Sequence, residues 1–413
     1  MNTLYNILVF FASLFLKVAT LFNTKIRLFV EGRKEIFKKL TTLSSDDKTV
    51  WFHTASLGEF EQARPIVERI KKEYPIYKIV VTFFSPSGYE IKKNYELADV
   101  VCYLPLDSER NVQKFIKKLQ PTLAIFIKYE FWPNLLNELK LKKIPVILVS
   151  GIFRKQQSFF KFYGGFMRKS LEAFQHFFVQ NKSSKDLLQS INFTNVTVSG
   201  DTRFDRVLEI LQQDNSLPFI NNFKNNTYTV VAGSTWKEDE ELLVNYINNH
   251  AEENEKFIIA PHNIKPNNIN NLKKSIEKKT VLFSEKEGKS LQGYQVFIID
   301  TIGILTKIYA YADSAYIGGG FKTGLHNILE PATFGVPIVI GNQYQKFKEA
   351  VDLVLLKGCF SISNQQEFSE ILLQLKENVI FRKSAGKVNK KYIESNIGAT
   401  NLIMQFIHQK IIN

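Results

Sequence analysis

Short apolar runs alternate with longer amphipathic stretches through most of the chain. The apolar runs are predicted to be β-strands, and in the first half they are Val50–Thr54, Lys78–Phe83, Val100–Leu104, Leu123–Ile127, Pro145–Ser150, His176–Val179 and Val196–Ser199. Stretches between them, such as Asn111–Leu119 and Lys182–Gln189, have the apolar period of a helix. Strands that alternate with helices at this spacing predict a parallel sheet with helices on both faces.

The alternation begins again after Val207 to Asn226, a linker-like stretch that contains turn-forming residues. In the second half the predicted strands are Tyr228–Ala232, Lys256–Ala260, Thr280–Phe283, Gln295–Ile299, Ala312–Ile317 and Pro337–Ile340. We therefore predict an α/β protein with two doubly wound, Rossmann-like domains, residues 25–210 and residues 211–413. The last stretch, Phe381 to Ile412, is predicted to form helices that close the second domain.

The segment from Leu4 to Phe22 is nearly all apolar, and Lys17 near its end is its one charged residue. About 20 apolar residues are needed to cross a bilayer as a helix, so this segment is just long enough. Positive charges follow it and do not precede it, which argues against a cleaved signal peptide and predicts a cytoplasmic location for the remainder. Residues 1–24 are thus predicted to be a membrane anchor. A helix lying in the membrane plane and a plain buried helix are the alternatives.

The chain has 54 Lys and Arg residues against 40 Asp and Glu residues, a net charge of +14. This excess of positive charge predicts an anionic partner. An anionic membrane surface, a phosphorylated substrate and nucleic acid all qualify, but no nucleic-acid-binding motif is present, so no nucleic-acid partner is expected. The two cysteines and six histidines have no metal-ligand spacing. No P-loop occurs, and no G-x-G-x-x-G follows the first strand of either half, which argues against kinases, ATPases and nicotinamide-dependent dehydrogenases.

The junction from His53 to Pro65 joins the first predicted strand to the next helix and contains the carboxylate Glu59. In open α/β sheets, ligands bind at the carboxyl ends of the strands, which makes Glu59 a candidate reactive group. The alternative is a helix-start carboxylate without chemistry. Because the helix dipole favours its charged form, we expect Glu59 to be ionised at neutral pH and to act by position more than by basicity.

Three strand ends in the second half, Gly233-Ser234-Thr235, Pro261-His262-Asn263 and Gly318-Gly319-Gly320, share a composition suited to phosphate. Each could also be a tight turn. Asp300 to Ile304 lies at a similar position, as a direct ligand contact or as an ordinary helix cap.

The segment His326 to Ala332 contains Glu330 followed by Pro331. With Pro331 as the first helical residue, the Glu330 carboxylate would be free to accept hydrogen bonds from a ribose diol. The alternative is a capping box between Asn327 and Glu330.

Several segments taken in order resemble the 3-deoxy-D-manno-octulosonic acid (Kdo) transferases of Gram-negative bacteria. They are His53-Thr54-Ala55-Ser56-Leu57-Gly58-Glu59, Glu130-Phe131-Trp132-Pro133-Asn134, Gly200-Asp201-Thr202-Arg203-Phe204-Asp205, Gly233-Ser234-Thr235 and His326-Asn327-Ile328-Leu329-Glu330-Pro331-Ala332. The resemblance implies a GT-B glycosyltransferase fold and an inverting transfer of Kdo from CMP-Kdo. The implied acceptor is the lipid A disaccharide precursor, lipid IVA, at the cytoplasmic side of the cell inner membrane. It implies neither a metal nor another cofactor.

The resemblance also assigns roles to individual residues. Glu59 matches the general base, and Glu130 and Arg203 match positions that stabilise the transition state. The segments that match the CMP-binding positions are Pro261 and His262, then Ile302, Gly303 and Ile304, then Asn327, Ile328, Leu329 and Glu330. Without the resemblance, Glu130 could be a surface residue beside a packed tryptophan, and Arg203 could form a salt bridge to Asp201 or Asp205.

The chain departs from the commoner family pattern at three places: Arg203 replaces a lysine, Pro261-His262-Asn263 replaces Pro-Arg-His, and Lys128 replaces an acidic residue. Two other functions stay open from the sequence. One is a membrane-associated GT-B glycosyltransferase that uses a UDP-sugar, and the other is a membrane-anchored scaffold without catalysis.

Overall fold

The structure is a computed structural model that describes residues 2–409, and it comprises two compact units. The first unit contains the chain up to Arg206 together with the described residues from Ile397 onward, and the second unit runs from Val207 to Asn396.

Within the described part of the first unit, one sheet contains seven parallel strands in the order β3-β2-β1-β4-β5-β6-β7. The strands are β1 (Thr49–Thr54), β2 (Lys78–Phe83), β3 (Val100–Tyr103), β4 (Pro121–Ile127), β5 (Val146–Gly151), β6 (His176–Val179) and β7 (Val196–Val198). The helices that accompany them are α1 (Asn2–Ala19), α2 (Thr24–Gly32), α3 (Ile36–Lys39), α4 (Leu57–Glu73), α5 (Pro86–Lys92), α6 (Glu109–Leu119), α7 (Pro133–Leu141), α8 (Gly165–Leu171) and α9 (Lys182–Gln189). The boundary with the second unit falls inside the next helix, α10 (Arg203–Ile210).

The second unit repeats this design, with seven parallel strands among its residues in the order β10-β11-β9-β8-β12-β13-β14. They are β8 (Tyr228–Thr235), β9 (Glu255–Pro261), β10 (Thr280–Leu282), β11 (Val296–Ile298), β12 (Ser314–Ile317), β13 (Ile338–Gly341) and β14 (Cys359–Ile362). Its helices are α11 (Pro218–Lys224), α12 (Lys237–Asn249), α13 (Pro266–Ser275), α14 (Leu305–Ile308), α15 (Leu329–Thr333), α16 (Lys348–Leu355), α17 (Gln365–Glu377) and α18 (Val379–Glu394). The predicted α/β class with two doubly wound parallel sheets, the GT-B fold, is confirmed.

The central strands are apolar on both faces because helices cover both sides of each sheet. Every residue of β1 is buried, as is every residue of β9. The periodicity located β2 and β6 residue for residue. It missed β14, a short edge strand of which only Cys359 and Ile362 are buried.

The C-terminal segment differs from the prediction, because its last described helix, α19 (Ala399–Ile407), packs on the first unit and not on the second. The Asp205 carboxylate accepts hydrogen bonds from the backbone N–H groups of Gly398 and Thr400, at 2.5 and 2.7 Å, at the start of this helix. Ile403 and Ile407 are buried in the core of the first unit. The boundary between the units lies at Arg206/Val207, four residues before the predicted one.

Helix α1 covers most of the predicted anchor segment, and many of its large apolar side chains are exposed. Its polar residues hold it to the first unit: the Tyr5 hydroxyl donates to Asp107 Oδ2 at 2.8 Å, and Asn6 Nδ2 donates to Glu109 Oε1 at 2.8 Å. Among the helices formed by residues 2–409, none has the length and apolar character needed to cross a membrane.

Candidate functional site

Glu59 lies in the first turn of α4, directly after the carboxyl end of β1, as the sequence predicted. Its side chain is buried, with 4% of the residue exposed, and the Ser56 hydroxyl donates to Glu59 Oε2 at 3.0 Å. The strand therefore ends in a turn whose serine hydroxyl orients the glutamate that follows it.

The electrostatic setting of Glu59 is opposite to the one expected from the helix dipole alone. Burial raises the pKa of the Glu59 carboxyl, and the charge of Glu130 raises it further, while the Ser56 hydrogen bond and Lys128 lower it only in part. Removing a carboxylate from water outweighs the favourable end of a helix dipole, which contributes at most about 2 kcal/mol. Glu59 is thus a stronger base than an ordinary glutamate, while the expectation that it acts mainly by position stays a prediction.

Glu130 follows β4 and lies near enough to Glu59 for its charge to act on that carboxyl. Its Oε2 atom accepts a hydrogen bond from Trp132 Nε1 at 3.0 Å and lies 3.4 Å from His53 Nε2. Only 12% of its side chain is exposed, so the alternative of a surface glutamate beside a packed tryptophan does not hold. The structure brings two carboxylates together, and a buried carboxyl of raised pKa beside a charged partner, as Glu59 is, is typical of catalytic sites.

Arg203 forms the salt bridge that was the alternative to a role in catalysis. Its Nε and Nη2 atoms donate to Asp201 Oδ2 at 3.0 and 2.9 Å. Burial by itself would raise the pKa of Asp201, but Arg203 brings it below the usual range. The same Oδ2 atom accepts from Gln62 Nε2 at 2.9 Å, which connects this pair to α4, the helix that carries Glu59. Asp205, the other partner considered, caps α19.

Lys128, which the sequence marked only as a departure from the family pattern, lies in this site. Its backbone is left-handed, with φ of 64°, at the turn that follows β4. Its charge lowers the pKa of both Glu59 and Asp201, so it lies near both. The available signal was its position directly after a buried strand, where parallel sheets carry their functional residues.

In the second unit, His262 lies at the end of β9 against Trp236 and His326. The Trp236 and His262 rings stack with centroids 4.4 Å apart, and the centroids of His262 and His326 are 4.7 Å apart. Trp236 Nε1 donates to His326 Nε2 at 3.1 Å, and burial, with the neighbouring His262, lowers the pKa of His326 to about 4. His326 is therefore neutral at pH 7, and this cluster carries no positive charge for a phosphate.

Glu330 connects two of the predicted CMP-binding segments. Its Oε2 atom accepts from the Thr306 hydroxyl at 2.7 Å, two residues beyond Ile304, and its Oε1 atom accepts from Asn327 Nδ2 at 3.0 Å. The loop containing Ile302 to Ile304 is open: Ile302 is 83% exposed, and Gly303 has a φ of +98° with free space where a Cβ would lie. Backbone groups of this loop are thus accessible to a ligand.

Two details of this region correct the prediction. Helix α15 begins at Leu329, so Pro331 is its third residue and Glu330 lies inside the first turn. The Glu330 carboxylate is not free, since Thr306 and Asn327 both bind it. Ile328 and Leu329 are buried, as is Pro261, so their side chains are not available to a ligand in this structure.

The glycines after β12 have a structural reason of their own. A Cβ on Gly318 would lie 2.4 Å from the Ser234 carbonyl oxygen, and one on Gly320 would lie 2.7 Å from the backbone N of Gly341.

The Asp300 carboxylate accepts a hydrogen bond from the backbone N–H of Ser284 at 2.9 Å, and it does not cap α14. Among residues 2–409, no group of three or more His, Cys, Asp or Glu side chains is placed to hold a metal ion.

Comparison with known proteins confirms the resemblance found in the sequence. The family model described as 3-deoxy-D-manno-octulosonic-acid transferase (kdotransferase) matches residues 31–206. The chain is 26% identical over 375 residues to a 3-deoxy-D-manno-octulosonic acid transferase of Aquifex aeolicus, with 88% of this chain and 97% of that protein covered.

A second relative is a bifunctional glycosyltransferase/methyltransferase of Fusobacterium nucleatum, 26% identical over 373 residues that cover 87% of this chain. The chain spans only 57% of the length of that relative. Among solved structures, the UDP-GlcNAc 2-epimerase of Neisseria meningitidis has a TM-score of 0.59 at 14% identity, with 88% of this chain and 100% of that chain covered. At this identity, the structural likeness shows the fold alone.

Proposed function

We propose that the protein is an inverting glycosyltransferase that moves Kdo from CMP-Kdo to the lipid A disaccharide precursor, lipid IVA. The family match and the relatives named as Kdo transferases support a Kdo glycosyltransferase. The observation that carries the proposal is Glu59, a buried carboxyl of raised pKa beside a second carboxyl at the carboxyl edge of a parallel sheet.

In the proposed reaction, Glu59 takes the proton from the sugar hydroxyl of the acceptor. The freed oxygen forms a bond to the anomeric carbon of Kdo, while the bond from that carbon to the phosphate oxygen breaks and CMP leaves with the electron pair. A base whose pKa lies closer to neutral pH contributes more to such a proton transfer, so the burial of Glu59 serves the reaction. The Glu130 carboxylate would stabilise positive charge that develops on the sugar ring.

The second unit would hold the cytidine nucleotide. The loop Ile302 to Ile304 offers backbone groups, and Glu330, which Thr306 and Asn327 hold, connects this loop to the segment that contains Asn327. Arg203 is engaged with Asp201 in this structure, and we propose that it assists catalysis by keeping that buried anion neutralised beside α4.

We further propose that α1 places the protein on the cytoplasmic face of the inner membrane. Its bonds from Tyr5 and Asn6 hold one side to the first unit, while Leu8, Phe11 and Phe15 are 60%, 60% and 70% exposed. A helix with one apolar side turned outward and basic residues nearby suits the plane of the interface between headgroups and acyl chains. The net charge of +14 would add attraction to anionic lipid.

The test is mass spectrometry of lipid IVA after incubation with CMP-Kdo and the purified protein. We expect a mass increase equal to Kdo with the wild type, and a loss of rate of about 10²- to 10⁴-fold in Glu59→Ala. Glu59→Asp should also be strongly impaired, because shortening the side chain withdraws the base from the acceptor hydroxyl.

A parallel reaction with UDP-sugars in place of CMP-Kdo separates the proposal from its closest alternative. Transfer from a UDP-sugar alone would contradict the donor assignment, and transfer from neither donor would favour a scaffold. Full activity in Glu59→Ala would contradict the assignment of the base.

A further inference from the structure

A chain of buried hydrogen bonds leads from Trp51 through Thr82 and His53 to Glu130. Trp51 Nε1 lies 2.9 Å from Thr82 Oγ1, and Thr82 Oγ1 lies 2.9 Å from His53 Nδ1. His53 Nε2 then lies 3.4 Å from Glu130 Oε2. Trp51, His53 and Thr82 each have 0% exposure, so water cannot replace these partners.

The donor and acceptor capacities of these side chains indicate where the protons lie. An indole N–H can only donate, so Thr82 Oγ1 must accept from Trp51, and it keeps one proton of its own to donate. That proton has two acceptors in reach, His53 Nδ1 at 2.9 Å and the Phe52 carbonyl oxygen at 3.3 Å. The shorter contact is the stronger hydrogen bond.

The other end of the imidazole supports the same assignment. If His53 were neutral and carried its proton on Nδ1, the Nε2 lone pair would face the Glu130 oxygen, and two acceptors would meet without a proton. With the proton on Nε2, each donor in this series of hydrogen bonds has an acceptor. Unpaired polar atoms in a buried setting cost about 1–3 kcal/mol each, which favours the fully paired arrangement.

We infer that His53 is a positioning residue, held as the Nε2–H tautomer, whose N–H fixes the Glu130 carboxylate for catalysis. Together with Trp132 Nε1, it directs two donors to the same oxygen, Oε2, and leaves Oε1 as the atom turned to substrate. The contact of 3.4 Å is long, as catalytic hydrogen bonds often are before substrate binds. This inference rests on the proposed function, in which Glu130 stabilises the transition state.

Two substitutions at His53 distinguish the role of the Nε2 contact to Glu130 from that of the Nδ1 contact to Thr82. His53→Asn carries an amide N–H only as far as the Nδ1 position, so it loses the contact to Glu130. His53→Gln is longer and can present an amide N–H where Nε2 lies. We expect His53→Asn to lower kcat on the order of 10- to 100-fold with little change in KM, and His53→Gln to restore most of that loss.

The chain offers a matched control in His176, another strand histidine that contacts a threonine on the neighbouring strand. His176 Nε2 lies 2.9 Å from Thr197 Oγ1, and no hydrogen bond within residues 2–409 connects that pair to a carboxylate. His176→Asn should leave kcat within about twofold of the wild type if the effect at His53 depends on Glu130. Thermal melting of all three variants checks that each is folded.

The tautomer itself is tested without activity, by ¹⁵N spectroscopy of the full chain labelled at histidine, with the His53 signals identified by their loss in His53→Gln. A protonated Nε2 beside an unprotonated Nδ1 supports the inference. A protonated Nδ1 would overturn it, and so would equal activity of the Asn and Gln variants. If the wild type transfers no Kdo, the proposed function fails while the spectrum still decides the tautomer.

Discussion

The Ser56 hydroxyl donates to Glu59 Oε2 at 3.0 Å, and it is the hydrogen bond that moderates the basicity of this buried carboxyl. Burial and Glu130 raise the pKa of Glu59, whereas this bond lowers it. The turn between β1 and α4 thus sets the strength of the base as well as its position.

Removing that hydroxyl should move the pH dependence of catalysis. In Ser56→Ala the pKa of Glu59 rises further, so the limb of kcat/KM that reports deprotonation of the base shifts to higher pH. The measurement is a pH–rate profile of the variant against the wild type. Ser87→Ala, which removes a more distant exposed hydroxyl bonded to Ser85, is the control and should leave the limb unmoved. A shift to lower pH in Ser56→Ala would contradict the account of the pocket.

Arg203 is predicted to matter for stability as well as for rate. Arg203→Ala removes the cation that is hydrogen-bonded to the buried Asp201, although Gln62 and Gln180 still donate to it and Lys128 lies near it, and we expect a loss of about 1–3 kcal/mol in the free energy of unfolding. Arg203→Lys should recover part of this loss, because lysine restores the charge without the planar pair of donors.

Urea unfolding of the two Arg203 variants, with Asp201→Asn for comparison, measures this effect. The combination of Arg203→Ala with Asp201→Asn should cost less than the sum of the single changes, because no buried charge is left unpaired. Strict additivity would show that the two side chains do not act as a pair.

The contribution of His326 to the stability of the second unit should fall as the solution is acidified below neutral pH. The folded pKa of His326 is about 4 against an ordinary value of 6.5, so the unfolded chain binds this proton first. The contribution of neutral His326 is therefore fully present above about pH 6.5 and is lost as the pH falls towards 4.

Unfolding measurements between pH 4 and 7 test the His326 prediction. His326→Gln should lose less stability than the wild type as the pH falls through this window, since the amide does not titrate. His250→Gln, at an exposed histidine of the same unit, serves as the control and should leave the dependence unchanged. An identical slope in His326→Gln and the wild type would contradict the assignment.

The exposed side of α1 should bind lipid vesicles. Phe15→Glu places a charge on that side, and we expect weaker co-sedimentation with vesicles that contain anionic phospholipid. Leu355→Glu is the matched control, because Leu355 is 76% exposed against 70% for Phe15 and lies on α16. Equal loss of binding in both variants would point to net charge alone and not to α1.

The periodicity of the chain was enough to predict most strands, because a parallel strand covered on both faces must be apolar along its whole length. It could not assign α19, since an amphipathic helix shows that it has an apolar side but not which core that side will join. The capping of α19 by Asp205 connects residues nearly two hundred positions apart, and no local pattern reports such a contact.

The sequence by itself determined the α/β class, the motifs and the candidate carboxylates, because these depend on local periodicity and on residue type. Only the tertiary structure decided the state of the candidates: Glu59 a buried carboxyl of raised pKa, Arg203 the partner of Asp201, and Glu330 a carboxylate already bound. Burial and pairing set a side chain's charge and freedom, and both arise from residues that the fold brings together from distant parts of the chain.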